Sequence, residues 1–265
     1  MKFMVMYGLN PFLLFEMITN VHNDIYLIFF IILSLYFVLR KRNIILAIAF
    51  MTFATCIKYV AVLLMPFMVM YFYKDKNTLK KILYSVSLAC LFLILFFAIY
   101  YIYGGISTNA FIQQEKYRES ILAIVLFFTS KRMELLSIIK GIFISAFLYY
   151  FIICIIKMLV EKDTRFSNYI KKYNYLLLIF IFLIITNLCP WYMSWLIPTM
   201  FWLKGKQIKN ILYLQFSYEL VTLINFVFYS EDFRIGILYL PIILSFIVIA
   251  NLKDNKNLKY IENKE

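Results

Sequence analysis

The sequence predicts an all-α, polytopic transmembrane helix bundle containing two broken or re-entrant helix hairpins. Three observations predict it. The chain is 64% hydrophobic and only 15% charged, whereas a soluble domain carries about a quarter charged residues. Its apolar runs, among them Asp24–Leu39, Ile82–Tyr103 and Ile235–Ala250, approach the roughly 20 residues that cross a bilayer. Its basic residues sit in short knots between those runs. Backbone polar groups find no water partner in hydrocarbon, so such runs must be helical. They are also continuous and too long for the alternating strands of a barrel.

The positive knots are Arg40-Lys41-Arg42, Lys74 to Lys81, Lys157 to Lys172, Lys204 to Lys209 and a tail from Lys253, and they hold most of the 27 Lys and Arg residues. The positive-inside rule places all five in the cytoplasm. This gives a transmembrane domain over 1–252, with its N-terminal part missing, and a basic cytoplasmic tail over 253–265. The formal charge of +13 does not indicate nucleic acid, because these cations form juxtamembrane anchors and not one exposed basic face. Cys56, Cys90, Cys154 and Cys189 lie in or beside apolar segments without zinc-site spacing, and read as buried membrane thiols.

The stretch Asn43–Tyr73 is apolar and positive at both ends, so an even number of passes is required. Two half-length helices meeting near Lys58 meet that requirement. Asn174–Leu203 repeats the arrangement, with a break at Cys189-Pro190, because proline forfeits a helix hydrogen bond and biases its predecessor away from helix. Between and after the hairpins, helices are expected over Leu79–Tyr103, Glu134–Met158, Ile211–Tyr229 and Ile235–Asn251. Gly104 to Met133 forms the largest outer segment, most polar at Gln113–Glu119, with Ile121–Phe128 along the membrane surface. Met1–Asn10 reads as the end of an outward helix whose beginning is missing.

Broken helices at membrane depth are tolerated where protein buries them or where they line a wet cavity, so both breaks mark candidate sites. Glu16, Asn20, His22, Asn23 and Asp24 gather in the first outer segment. An imidazole beside a carboxylate suits acid–base work or a phosphate-bearing donor, while helix capping is the simpler role for Asn and Asp. Lys58 lies far from either basic knot. An ionisable group there is functional by default and suits an anionic phosphate; the alternative is a structural pair with Asp24 or Glu219. Gln215, Glu219, Thr222 and Asn225 share one helix face, as a cavity lining or as interhelical hydrogen bonding. The run Pro190-Trp191-Tyr192-Met193-Ser194-Trp195-Leu196-Ile197-Pro198 serves as an interfacial aromatic belt or as a surface for sugars and isoprenoids.

Three segments together, Asn10-Pro11 through His22-Asn23-Asp24, Thr55-Cys56-Ile57-Lys58-Tyr59 with Pro66 beyond, and Pro190-Trp191-Tyr192 through Trp195 and Pro198, resemble motifs of polytopic glycosyltransferases of the GT-C superfold. The nearest groups are the bacterial mannosyltransferase-like and family-87-type enzymes. The resemblance implies transfer of a hexose from a polyprenyl-phosphate donor to a glycan or lipid acceptor on the outer face of the bacterial plasma membrane. The donor is a substrate and no cofactor is implied. His22, Asn23 and Asp24 would face the donor, Lys58 would lie near its phosphate, and Trp191 and Tyr192 would wall the cavity, with Glu219 a further substrate-binding candidate. The family's usual catalytic acid precedes the Asn10-Pro11 match, so no residue inherits it by position. Asp24 and His22 are the candidates that remain, and a separate N-terminal chain could complete the enzyme. A transporter or flippase for a lipid-linked or polar substrate, and a non-catalytic membrane subunit of a polysaccharide assembly complex, are the alternatives.

Overall fold

The computed structural model describes residues 23–102, 133–160, 165–185, 190–200 and 202–203. Every regular element among them is helical. Helix α1 spans Asp24–Tyr36 and continues through a π-helical turn, Phe37–Lys41. Arg42 adopts a left-handed conformation, φ 52°, and closes the turn to α2, Ile44–Ile57. Asn43 caps α2, its Oδ1 accepting from the Leu46 N–H at 3.1 Å.

Helix α2 stops at Lys58, whose backbone is extended. A 3-10 stretch, Tyr59–Leu64, then leads into α3, Met65–Phe72, with Pro66 in its first turn. Proline is tolerated there because the first N–H groups of a helix have no intrahelical acceptor. The chain reverses at Lys58. The Ser34 hydroxyl donates to the Ala47 carbonyl at 2.7 Å and also lies 3.6 Å from the Met68 sulfur. A straight helix would hold Ala47 and Met68 about 30 Å apart. The half-length pair expected over Asn43–Tyr73 is therefore present, with Lys58 at its tip.

Helix α4, Thr78–Ile102, starts from a cap in which Asn77 Oδ1 accepts from Lys80 N–H at 2.9 Å. Helix α5 covers Met133–Val160. Helix α6, Phe166–Ile179, continues as a π-helical turn, Phe180–Ile184. A 3-10 segment, Pro190–Leu196, and a short helix α7, Ile197–Met200, complete the described chain. The segments ending at Ile185 and starting at Pro190 pack against each other as a second pair. The Thr199 hydroxyl donates to Asn174 Oδ1 at 2.6 Å, and the Phe166 and Trp202 rings meet edge to face at 5.2 Å.

An aromatic seam joins the two hairpins. Tyr59 meets Phe180, Phe67 meets Tyr173, and Tyr71 meets both Tyr169 and Phe166. That order makes α3 and α6 antiparallel. Helix α5 covers the seam through Phe147 against Phe180 and Phe151 against Phe67. Most of the largest fully enclosed side chains, including Leu27, Ile48, Met51, Phe67, Met68 and Tyr173, come from α1, α2, α3 and α6, joined by Leu64 of the 3-10 stretch and Leu136 of α5.

Two helices, Thr78–Ile102 and Glu134–Val160, are long and apolar enough to cross a membrane. Both are largely exposed, with Leu83, Val86, Ile94, Phe97, Ile138, Ile142, Tyr149 and Ile152 on their open faces. A core helix of a soluble protein would bury such residues, and apolar surface of this extent in water marks an interface or an aggregation hazard; lipid suits it. The basic turns Arg40–Arg42, Lys74–Lys81 and Lys157, Arg165, Lys171 and Lys172 all fall toward the end of the bundle opposite Lys58. One shared end for these knots is what the charge pattern required.

The expected helices over Ile211–Tyr229 and Ile235–Asn251, the opening Met1–Asn10 and Asn10-Pro11, the segments Gln113–Glu119 and Ile121–Phe128, Cys189, and the 253–265 tail lie outside the described residues. Of the cysteines expected to be buried, Cys154 is, whereas Cys56 and Cys90 are exposed. These two sit on outer faces of α2 and α4, where lipid in place of protein would cover them.

With the native cysteines replaced, cysteines at positions 34 and 68 should be joined by a short bifunctional thiol reagent in membranes. Cysteines at 47 and 58 should not be. A crosslink yield at 34/68 no higher than at 47/58 would show that the chain does not reverse at Lys58.

Candidate functional site

Four side chains from three distant parts of the chain meet beside the reversal at Lys58. Asp24 is in the first turn of α1, where the helix N-terminus favours a carboxylate. Its side chain is fully buried, at 0% exposure. One oxygen, Oδ2, accepts from Lys58 Nζ at 2.7 Å. The other, Oδ1, accepts from the Trp195 indole N–H at 2.5 Å. Asp24 thus ties α1 to the tip of the first hairpin and to the second hairpin.

Lys58 closes its own side of the site. Its ammonium lies 5.1 Å from the Tyr192 ring centroid and 5.3 Å from that of Trp195, within the range of cation–π attraction. The two rings lie 4.5 Å apart. The local backbone explains this arrangement. Tyr192 and Trp195 fall three residues apart in a 3-10 segment, and a 3-10 helix of about three residues per turn eclipses side chains at that spacing. The segment therefore offers both aromatic faces to one cation.

The break in α2 that carries Lys58 is not left unsatisfied. The Lys58 N–H bonds the Ala54 carbonyl at 3.0 Å, and its own carbonyl accepts from Ala61 at 3.2 Å. The hydroxyls of Thr52 and Thr55 fold back onto the carbonyls of Ile48 and Met51, so the last turns of α2 hold their polar groups internally.

Access to the site is unequal. Asp24 is sealed and Trp195 is 4% exposed, while the Lys58 side chain is 21% exposed. Tyr59 beside it is 66% exposed. A ligand reaching this corner would meet the ammonium first. A carboxylate whose two oxygens each already accept a hydrogen bond is poorly placed to take a proton from a hydroxyl.

Among the sequence-derived candidates the structure brings together Asp24, Lys58 and Tyr192. The pairing of Lys58 with Asp24, weighed above as the structural alternative, is the one observed. Asn23 occupies the N-cap position of α1 without a side-chain capping bond, and it is exposed. Neither Asn23 nor Asp24 therefore caps the helix through its side chain. His22, Glu219 and the stripe of Gln215, Thr222 and Asn225 lie outside the described residues, as does the Trp191 side chain. Trp195 lies in the aromatic motif, and its spacing of three from Tyr192 behind a proline is the sequence signal for its place in the site. No group of three or more His, Cys, Asp or Glu side chains suited to a metal occurs among the described residues.

The fold and site describe an all-helical protein with membrane-length apolar helices and a buried ion pair at a helix break. Residues 2–74 match the family model described as Alpha-(1->6)-mannopyranosyltransferase, N-terminal domain. The matched stretch contains α1, α2 and α3, and with them Asp24 and Lys58, but ends before Tyr192 and Trp195. This likeness concerns residues 2–74 alone. No curated protein and no solved structure gives a significant match.

Removing one partner of a buried pair strands the other. Lys58→Ala, which strands the sealed Asp24 carboxylate, should therefore lower stability in detergent by about 3 kcal/mol, and Asp24→Ala, which strands the partly exposed ammonium, by a smaller amount. Trp195→Phe, which loses only the indole N–H, should cost about 1 kcal/mol. Thermal unfolding of the purified variants checks the ranking; equal, negligible losses would show that the pair does not hold the hairpins together.

Proposed function

We propose that this chain is part of a multi-pass glycosyltransferase of the mannosyltransferase type, with a GT-C superfold. It would move a hexose from a polyprenyl-phosphate donor to a glycan or lipid acceptor on the outer face of a bacterial plasma membrane. The observation that carries this reading is that the matched mannosyltransferase stretch contains both members of the buried ion pair. The basic turns at the opposite end of the bundle support an outward-facing site, because such turns face the cytoplasm.

In this reading the acceptor oxygen bonds to the anomeric carbon as the bond from that carbon to the donor phosphate oxygen breaks. The acceptor proton passes to a base, and the phosphate leaves with its bonding electrons. Fixed cations at the departing phosphate lower the barrier because they need no rearrangement during the reaction. Lys58 fills that role, with Tyr192 and Trp195 as an apolar wall against the isoprenoid or sugar. Asp24 is engaged on both oxygens, which shifts the weight for the proton-accepting role to His22, one residue before Asn23. Glu219 remains a candidate for acceptor binding.

Membranes containing the full chain should transfer mannose from a polyprenyl-phosphate mannose donor. Lys58→Ala should reduce the rate about 100-fold at unchanged protein level. Loss of flux of a lipid-linked substrate in Lys58→Ala, with glycan linkages intact, would instead identify a transporter. An unaltered glycan in both Lys58→Ala and Asp24→Ala would leave only a non-catalytic subunit.

A further inference from the structure

The ion pair admits a second interpretation that rests on the anion-binding reading of Lys58 and extends it. We propose that Asp24 occupies the anion position of the site in the unliganded protein, so that an incoming lipid phosphate competes with an internal carboxylate for the Lys58 ammonium.

The two partners are built differently. Asp24 is sealed and is fixed from its second oxygen by the Trp195 indole. Its position is determined by the start of α1. Lys58 sits on a long, rotatable stem at the tip of a hairpin, and its side chain is 21% exposed. When an anion arrives, the ammonium can turn and the carboxylate cannot. The ammonium has three N–H donors, and the two aromatic rings beside it attract it through their faces without accepting a full charge. The one charged acceptor found for it among the described residues is Asp24. An external phosphate must share the ammonium with Asp24 or take it.

The surroundings select the form of the anion. Ile25, Tyr26 and Tyr59 are exposed near Asp24 and Lys58 in sequence, and the bundle presents apolar surface of the kind lipid covers. A phosphate carried on an apolar chain gains from both the cation and these side chains, whereas inorganic phosphate gains only from the cation. The chemistry is thus that of an isoprenoid or other lipid phosphomonoester.

The competition has a sign that a plain anion site lacks. If Asp24 only helped to build a phosphate site, neutralising it would weaken binding. If Asp24 competes, neutralising it strengthens binding, because the lysine left unpaired gains its missing anion from the ligand. Asp24→Asn keeps the size of the side chain and a carbonyl for the Trp195 N–H while removing the charge.

The test uses the full chain in nanodiscs, with farnesyl phosphate, farnesol and inorganic phosphate as probes, read by ligand-induced thermal shift and by equilibrium binding. Asp24→Asn should be less stable than the wild type without ligand, and should bind farnesyl phosphate roughly tenfold tighter. The thermal shift it gains should also be larger. Farnesol should bind both proteins alike. Inorganic phosphate should favour the variant in the same direction but more weakly. The swapped protein, Asp24→Lys with Lys58→Asp, restores the charge pair but leaves the Trp195 N–H without an acceptor, and should recover part of the stability while losing farnesyl phosphate binding. If Asp24→Asn does not accumulate, Asp24→Ser makes the same comparison, since serine is also neutral and polar.

Equal or weaker binding of farnesyl phosphate by the neutral variant would overturn the competition, yet leave Lys58 as an anion site. Failure of the wild type and both neutral variants to bind any phosphate probe would overturn the anion reading itself. Binding by the swapped protein at wild-type strength would do the same.

Discussion

The Asp24 carboxylate accepts one hydrogen bond from Lys58 and another from Trp195, and through them it joins segments 34 and 171 residues away. In a bilayer this kind of contact matters more than apolar burial. Lipid tails are as apolar as leucine, so packing one Leu-rich helix against another yields little from the hydrophobic effect. An ammonium away from water is expensive and must find a counter-charge. Once α2 carries Lys58 to its tip, the pair determines where the break lies, which helix start faces it and where the second hairpin docks.

The rest of the bundle is arranged to let this happen. The seam of Tyr59, Phe67 and Tyr71 against Phe180, Tyr173, Tyr169 and Phe166 aligns α3 with α6 by shape. Few polar contacts supplement it. Ser34 reaches the Ala47 carbonyl, and Thr199 reaches Asn174. Each is worth about 1 kcal/mol in such surroundings, but each is directional and ties one arm of a hairpin to a neighbour. The Asn174 amide nitrogen is the one buried side-chain polar atom left without a partner among the described residues, so this region keeps a small unmet demand for an acceptor.

The distribution of charge connects the architecture to the proposed chemistry. Most of the described cations, Lys140 aside, fall toward one end of the bundle, and Lys58 stands near the other with its charge balanced by Asp24. A cation held at a helix break, half-wrapped by two aromatic rings and open on one side, suits a ligand that is anionic at one end and apolar at the other. The similarity of residues 2–74 to a mannosyltransferase domain is the basis for proposing a lipid-linked sugar phosphate as that ligand.

Much of this could be read along the chain. Helical class and the limits of α4 and α5 followed from long apolar runs, because hydrocarbon admits no other backbone form for them. The reversal at Lys58 followed from basic residues at both ends of one apolar stretch, and the prominence of Asp24, Lys58 and Tyr192 from the cost of charge at depth and from the aromatic motif. Other features depended on three-dimensional approach. Nothing local distinguishes Asp24 from Glu219 as the partner of Lys58, or assigns Trp195 to the Asp24 oxygen. Nor does the sequence show that Asp24 is sealed while Lys58 stays open. Periodicity reports which face of a helix is apolar, but which charge lies opposite another depends on how the hairpins dock. That docking also assembles the aromatic seam between α3 and α6, whose members are nearly 100 or more residues apart and become neighbours only when the chain has folded.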